Sequence, residues 1–290
     1  MRLLLVHGRA QEGKSSALIQ QQWMSALKRG FAQSGLPLPA DLKVSAPFYG
    51  DKLAELLAQR HLPPADNVAT RGGAADDGYA AFLEEVAGQL SSDDKVTHRE
   101  IENEMGPSPQ ERGVQNWAWV QAILRIIDRR APGVSEYSIG LLLRDVYVYV
   151  NDGPVRRAIN KIVAAELTDE PTVVIGHSLG SVVAYEVLRQ DANNAVAQFV
   201  TVGCPLGIRA IRQRLATPLT MPDGVKGWYN AYDPRDVVAL YPLDQENFGI
   251  KPPIANHPLV NNHTDNRHGI DGYLDDAGVV EKIARALAAA

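Results

Sequence analysis

The sequence reads Thr172-Val173-Val174-Ile175-Gly176-His177-Ser178-Leu179-Gly180 at the point that decides its fold. The first four residues form an uninterrupted apolar and β-branched run, which is typical of a strand buried on both faces of a parallel sheet. Residues 181–190, which follow the quoted stretch, have helical composition. The pattern therefore predicts a buried strand that passes through a tight, glycine-flanked turn into a helix, with Ser178 in the turn.

Further strands and helices alternate on both sides of this stretch. Residues 3–6, 43–48, 199–202 and 227–232 are predicted as strands, and residues 17–31, 79–90, 114–130, 156–167 and 279–289 as helices. This alternation favours an α/β fold with a mostly parallel central sheet and helices on both faces. We expect a single domain over residues 1–290.

The overall composition excludes several classes of protein. Hydrophobic residues make up 45% and charged residues 22%, as in ordinary globular chains, and the net charge of -5 provides no basic surface for nucleic acid. Cys204 is the single cysteine, so no intramolecular disulfide can form. No run approaches the roughly 18 to 20 apolar residues of a transmembrane helix. We expect a cytoplasmic protein with no nucleic-acid partner and no transmembrane segment.

Ser178 stands where nucleophilic catalysis needs a serine. A strand-to-helix turn of this kind projects the hydroxyl above the sheet, and the Leu179 amide at the start of the helix can donate to a developing oxyanion. A serine hydroxyl also needs a base and an acid that orients the base. The candidate acids are Asp233 and Asp236, after the strand predicted at 227–232. The candidate bases are the three downstream histidines, His257, His263 and His268.

Four stretches of the chain resemble the α/β-hydrolase superfamily and follow its order of serine, acid and histidine. They are Val6-His7-Gly8, the Gly-x-Ser-x-Gly motif around Ser178, Asp236-Val237-Val238 and His268. Within the superfamily, the chain looks most like the lipase and esterase branch that includes inositol-deacylase-like enzymes. The resemblance covers residues 1–50 and about 150–290. It implies an α/β-hydrolase fold and a serine esterase or lipase activity.

The resemblance also implies a role for each site residue. Ser178 would be the nucleophile, Asp236 the acid, with Asp233 as the alternative, and His268 the base, because it lies just before the terminal helix. His257 and His263 read as loop residues on the surface. The amides of Leu179 and Arg9 would form the oxyanion hole. No cofactor is implied, and a metal site built from His257, His263, Asp265 and His268 lacks a recognised spacing.

A second motif competes with this interpretation. Gly8-Arg9-Ala10-Gln11-Glu12-Gly13-Lys14-Ser15 matches the phosphate-binding pattern G-x-x-x-x-G-K-[ST], and it also lies between a predicted strand and a predicted helix. A nucleotide hydrolase would need an acidic residue for Mg²⁺, for which Asp145 and Asp152 are candidates. The phosphate-loop hypothesis explains only residues 3–15 and one of these aspartates, so we favour the hydrolase.

Residues 52–150 exceed what a minimal hydrolase core needs, and we expect a helical insertion that forms a cap or lid. The helix predicted at 114–130 carries Trp117 and Trp119. It would either bind an apolar acyl group or pack against the core. A small-molecule or lipid ester is therefore the expected substrate, with transient membrane contact compatible. Acyl transfer to an acceptor other than water stays open.

Overall fold

The fold is built around one parallel sheet. A computed structural model describes residues 1–63, 77–106, 117–130, 139–191 and 194–289, and in these ranges six strands pair side by side in the order β2-β1-β3-β4-β5-β6. All five pairings are parallel. The strands are β1 (Arg2–Val6), β2 (Lys43–Ser45), β3 (Thr172–His177), β4 (Val196–Val202), β5 (Trp228–Ala231) and β6 (Ala255–His257).

The strand order reverses between β1 and β3. The chain passes from β1 outward to β2, returns to pair β3 with the other side of β1, and then continues outward to β6. The register aligns Val6 with Gly176, so the two strands end at the same level of the sheet. In open α/β sheets, ligands bind outside the carboxyl ends of the strands at such a reversal. The loops that follow Val6 and His177 therefore lie together where a binding site is expected.

Twelve helices are present in the described ranges. They are α1 (Ser16–Gln33), α2 (Gly50–Ala58), α3 (Asp77–Ser92), α4 (His98–Met105), α5 (Trp117–Arg129), α6 (Ile139–Asn151), α7 (Gly153–Ala164), α8 (Leu179–Gln190), α9 (Arg209–Arg212), α10 (Gln245–Phe248), α11 (Asp271–Leu274) and α12 (Ala277–Ala288).

The sheet separates two apolar cores because neighbouring residues of each strand point to opposite faces. In β1, Leu4 and Val6 belong to one cluster, together with residues of α3 and α5 to α8. Leu3 and Leu5 belong to the other cluster, together with residues of α1, α11 and α12. Helices thus cover both faces, as the uninterrupted apolar strands predict.

The long predicted elements agree with the structure, with ends displaced by a few residues. The strand predicted at 43–48 is shorter, and the predicted helices at 79–90 and 156–167 correspond to α3 and α7. The strand β6 and the helices α2, α4, α6, α9, α10 and α11 were not predicted. Most of these are short, so they contain too few repeats of an apolar period to be recognised.

The part of residues 52–150 that the structure describes is helical. Trp119 in α5 is 6% exposed and lies in the same core cluster as α6 and α8, so this helix packs against the body of the protein at Trp119. Trp117 is partly buried against the same cluster. Residues 114–116 of the predicted helix lie outside the described residues. In the described ranges, no helix is both long and apolar enough to cross a membrane.

Candidate active site

Ser178 occupies a very tight turn between β3 and α8. Its φ of 57° and ψ of -130° are unusual for a residue with a side chain, and such strain persists only where the surroundings impose it. A Cβ built on Gly176 would lie 2.8 Å from Ser181 Cα, and one on Gly180 would collide with the Val6 carbonyl oxygen. Both flanking glycines are therefore required by close backbone approach.

The Ser178 side chain is buried, and its Oγ has no hydrogen-bond partner within the described residues. As the residue before α8, it makes no side-chain cap bond to the helix. Leu179 is the first residue of α8, so its amide is one of the N–H groups that lack a partner within the helix. An unpaired hydroxyl beside such an amide is suited to attack on a carbonyl group.

Asp236 and His268 form a buried pair. His268 Nδ1 donates to Asp236 Oδ2 at 2.8 Å, and the two side chains are 4% and 0% exposed. Asp236 follows β5, and its Oδ1 accepts from the Val238 amide at 2.8 Å. With Nδ1 carrying the proton toward the carboxylate, Nε2 of a neutral His268 is left as the basic nitrogen. This tautomer is the one that a general base requires.

Asp233 has a different set of partners. Its Oδ1 accepts from the Arg235 amide at 2.8 Å, and its Oδ2 accepts from the Asn262 amide at 3.0 Å. Arg267 Nη1 lies 3.6 Å from the same Oδ2. The Asp233 carboxylate thus joins the turn after β5 to the loop that carries His268. It is Asp236, and not Asp233, that contacts the imidazole.

Tyr273 was missed as a site residue. Its hydroxyl donates to Asp236 Oδ2 at 2.5 Å, and the ring is fully buried in α11. Burial beside Asp236 raises the pKa of the Tyr273 hydroxyl well above its ordinary value, which keeps it a donor. A lone tyrosine five positions after His268 carries no sequence signal that would distinguish it from a core residue.

His7 holds the loop after β1. Its Nδ1 donates to the Gly8 carbonyl at 2.8 Å, and its Nε2 accepts from the Tyr49 amide at 3.2 Å. Burial lowers the His7 pKa to about 4, so the ring is neutral at pH 7. In a trans peptide, the N–H points opposite to the C=O. Anchoring the Gly8 carbonyl therefore fixes the direction of the Arg9 amide, the predicted oxyanion donor.

His177, directly before Ser178, is a second buried histidine that bonds to a backbone carbonyl. Its Nε2 lies 2.8 Å from the His268 carbonyl oxygen, and a carbonyl only accepts, so the Nε2 carries a proton. Burial, with His268 close by, lowers the His177 pKa well below its ordinary value. A neutral His177 thus links the turn of Ser178 to the loop of the candidate base.

The residues of the phosphate-loop motif have protein partners of their own. The Gly13 amide donates to Asp51 Oδ1 at 2.7 Å, and Lys14 Nζ donates to Gln11 Oε1 at 2.9 Å. A carboxylate thus lies where the motif would need a phosphate. The proposed magnesium ligands, Asp145 and Asp152, belong to α6 and to the N-cap of α7, and neither follows a strand. Around this loop, the residues that the structure describes therefore do not form the arrangement that a nucleotide hydrolase needs.

The other two candidate bases, His257 and His263, lie next to carboxylates other than Asp236. His257 lies in β6 and is partly buried, 3.2 Å from Asp276 Oδ1, so the expectation of a surface loop residue is wrong for it. His263 is 60% exposed and lies 3.0 Å from Asp275 Oδ2. Across the described ranges, no group of three or more His, Cys, Asp and Glu side chains could hold a metal ion.

A cavity of about 260 Å³ is lined by the loop that follows β1 and by α2. One wall is the loop of Gly8, Arg9 and Ala10, and the opposite wall is α2. Gly8 lies close to Ser178, since a Cβ placed on Gly8 would lie 2.9 Å from Ser178 Cβ. Ala10 has a φ of 54°, a second strained residue next to the cavity. The cavity therefore begins at the predicted oxyanion loop.

No family model matches the sequence, and no curated protein or solved structure is significantly similar to it. The function must therefore be inferred from the side chains that the fold brings together. These are Ser178 on its strained turn, the buried pair of Asp236 and His268, and the cavity beside Arg9.

Proposed function

We propose that this chain is a serine hydrolase of the α/β-hydrolase type that cleaves a carboxylic ester through an acyl-enzyme on Ser178. The observation that carries the proposal is the buried hydrogen bond of 2.8 Å between His268 Nδ1 and Asp236 Oδ2, at the same end of the sheet as the strained Ser178. A buried imidazole that a carboxylate orients and a serine on a strained turn with an unpaired hydroxyl are the two features that nucleophilic catalysis by a serine needs.

The proposed reaction has two halves. His268 Nε2 removes the proton of Ser178 Oγ as the oxygen attacks the ester carbonyl, and Asp236 stabilises the imidazolium that forms. The amides of Leu179 and Arg9 donate to the oxyanion. His268 then protonates the departing alcohol, and water activated by the same imidazole releases the acid.

One contact of this reaction has still to form. Ser178 Oγ makes no hydrogen bond within the described residues, whereas the reaction needs one to His268. Catalytic hydrogen bonds are often long in ligand-free proteins and tighten only when substrate binds. We expect this contact to form when substrate is bound.

The substrate belongs to the class of carboxylic esters, and part of the cavity favours an apolar chain in it. Leu53, Leu57 and Leu62 lie along one side of the cavity. Acyl transfer to another alcohol would use the same acyl-enzyme and the same three residues. A lipid or other hydrophobic acyl group would pack along the leucines, with the ester carbonyl at the loop of Arg9.

Covalent labelling with a fluorophosphonate probe tests the proposal directly, because the probe reacts with activated serines. We expect the wild-type protein to label and Ser178→Ala not to label. The matched control is Ser15→Ala, which removes a serine that only caps α1 and should leave labelling unchanged. A series of 4-nitrophenyl esters of increasing chain length then measures the acyl preference. Labelling of Ser178→Ala equal to wild type would contradict the proposal.

A further inference from the structure

The cavity beside the predicted oxyanion loop contains a cluster of two arginines and one aspartate. Asp145 of α6 accepts from two arginines, with Arg9 Nε at 2.7 Å from Oδ2 and Arg144 Nη2 at 2.7 Å from Oδ1. The side chains of Arg9 and Asp145 are 9% and 3% exposed, and that of Arg144 is 21% exposed. Two guanidinium groups thus share one carboxylate in a largely buried position.

Among the described residues that line the inner part of the cavity, two arginines face one aspartate. Glu12 also lines the cavity, but it is exposed at the mouth, where water and salt screen its charge. Lys14 and Asp51 bring one charge of each sign to the same loop outside the cavity lining, where Lys14 Nζ donates to Gln11 and Asp51 accepts from the Gly13 amide. Buried charges are screened much less than exposed ones, so the two arginines dominate the inner surface.

Arg144 has hydrogen-bonding capacity that Asp145 does not use. Its Nε and Nη2 both point to Asp145 Oδ1, at 2.9 Å and 2.7 Å. Within the described part of the chain, its Nη1 donates to no protein group. A guanidinium held in plane by a carboxylate on one edge presents its other edge as a rigid fork for an anion.

We propose that this cavity binds an anionic group of the substrate, a carboxylate or a phosphate, through Arg144. The inference rests on the proposed ester hydrolysis and narrows its substrate class. The ester would carry its negative charge on the acyl or alcohol part that extends from Ser178 past Gly8 into the cavity. Asp145 holds Arg144 in place and balances Arg9, while the leucines of α2 contact the chain that joins the charge to the ester.

Matched esters test the proposal. The neutral 4-nitrophenyl methyl glutarate and the anionic 4-nitrophenyl glutarate differ by one charge on the acyl part, and methyl 4-acetoxybenzoate and 4-acetoxybenzoate differ on the alcohol part. We expect wild type to have a higher kcat/KM for the anionic member of at least one pair. In Arg144→Gln, the ratio of anionic to neutral kcat/KM should fall about tenfold, the cost of one charge-assisted hydrogen bond. Arg144→Lys should retain part of the preference.

The matched control is Arg125→Gln, which breaks an ion pair of 2.7 Å with Glu104 in the same inserted region, away from the cavity. It should leave the ratio unchanged. A ratio near one in wild type, or equal ratios in wild type and Arg144→Gln, would overturn the inference while leaving ester hydrolysis intact.

Direct binding separates this inference from the proposed hydrolysis. Calorimetric titration of Ser178→Ala with glutarate and, separately, with inorganic phosphate measures the cavity without any turnover. We expect binding of at least one anion, which Arg144→Gln weakens about tenfold in the same background. Preference for one of the two distinguishes a carboxylate from a phosphate group. Absence of binding by both anions overturns the inference, whatever the labelling of Ser178 shows.

Discussion

Two connections from a buried strand to a helix lie at adjacent positions of the sheet, each within a glycine-containing motif, and they differ sharply in geometry. The turn from β3 to α8 consists of Ser178 alone, in a strained conformation with its Oγ unpaired. The loop from β1 to α1 spans residues 7–15, and its groups are engaged: the Gly8 carbonyl with His7, the Gly13 amide with Asp51, and Lys14 with Gln11.

The difference shows that two sequence motifs in the same strand-to-helix context can predict chemistry with different success. A motif predicts chemistry only when its groups are left available to a ligand. At Ser178 the hydroxyl has no hydrogen-bond partner among the described residues and lies at a helix N-terminus. In the loop with the phosphate-binding pattern, the Gly13 amide and Lys14 Nζ instead donate to protein groups. The loop before α1 thus serves the neighbouring turn, as one wall of the cavity and as the carrier of the Arg9 amide.

The largest effect is expected from Asp236, the acid of the proposed mechanism. Asp236→Asn should lower kcat about 10⁴-fold, because the amide can favour the wrong tautomer of His268. Steady-state kinetics on a 4-nitrophenyl ester measures the effect. Asp233→Asn is the matched control, since Asp233 is equally buried but contacts Arg235 and Asn262. A larger loss of kcat in Asp233→Asn would exchange the two assignments.

Replacing one glycine of each motif by alanine tests how closely the backbone is packed at the two connections. Gly180→Ala should destabilise the protein by about 3 kcal/mol or more, because its Cβ would collide with the backbone of β1. Gly13→Ala meets nothing within 4 Å and should cost about 1 kcal/mol, from its φ of 75° alone. Urea unfolding measures both free energies. Equal costs for the two variants would show that the turns are not packed differently.

The pH dependence of the free energy of unfolding tests the two buried histidines, His7 and His177. Burial lowers the His7 pKa from 6.5 to about 4, and it lowers that of His177 in the same direction. The unfolded chain therefore binds more protons than the folded one below pH 6.5, and the free energy of unfolding falls as the pH drops toward 4. His7 alone should contribute about 2 kcal/mol of this fall between pH 7 and pH 5.

Urea unfolding at pH 7, 6 and 5 measures this pH dependence. In His7→Asn the fall should be smaller than in wild type by the contribution of His7. His263→Asn is the control, because that side chain is 60% exposed. The same fall in wild type and His7→Asn would contradict a neutral, buried His7.

The smallest effect is expected for nucleotide binding at the phosphate-binding pattern of residues 8–15. Mg²⁺-ATP should not raise the Tm of the protein, because the Gly13 amide is already bonded to Asp51. Lys14→Ala should leave both the Tm and fluorophosphonate labelling unchanged within error. A rise of the Tm with Mg²⁺-ATP that Lys14→Ala abolishes would return the loop to nucleotide binding.

The parts of the fold that could be predicted are those with a long apolar period. The strand and helix around Ser178 and the parallel sheet follow from runs such as residues 172–175 and 199–202. The helix α6 could not be recognised, because its ten buried residues include both faces and show no clear period. The choice of Asp236 over Asp233 came from the resemblance, since both follow the same strand and both are fully buried.

The remaining site groups lie beyond local sequence patterns. Tyr273 reaches Asp236 across 37 positions of sequence, and Arg9 reaches Asp145 across 136. Such pairs are set by how helices pack on the sheet, so no spacing rule indicates them. The packing of α6 on the sheet brings Arg144 and Asp145 to the cavity wall, which no local pattern in the sequence indicates.

The ion pair between Arg9 and Asp145 limits how far this protein can be shortened. A design that removed residues 77–151 to reach a minimal sheet with its flanking helices would also delete the carboxylate that faces the buried Arg9. Breaking one side of a buried pair costs about 3 to 5 kcal/mol, which is comparable to the whole margin of many small domains. The inserted helices are therefore no detachable module: core and insertion would have to be redesigned together at this contact.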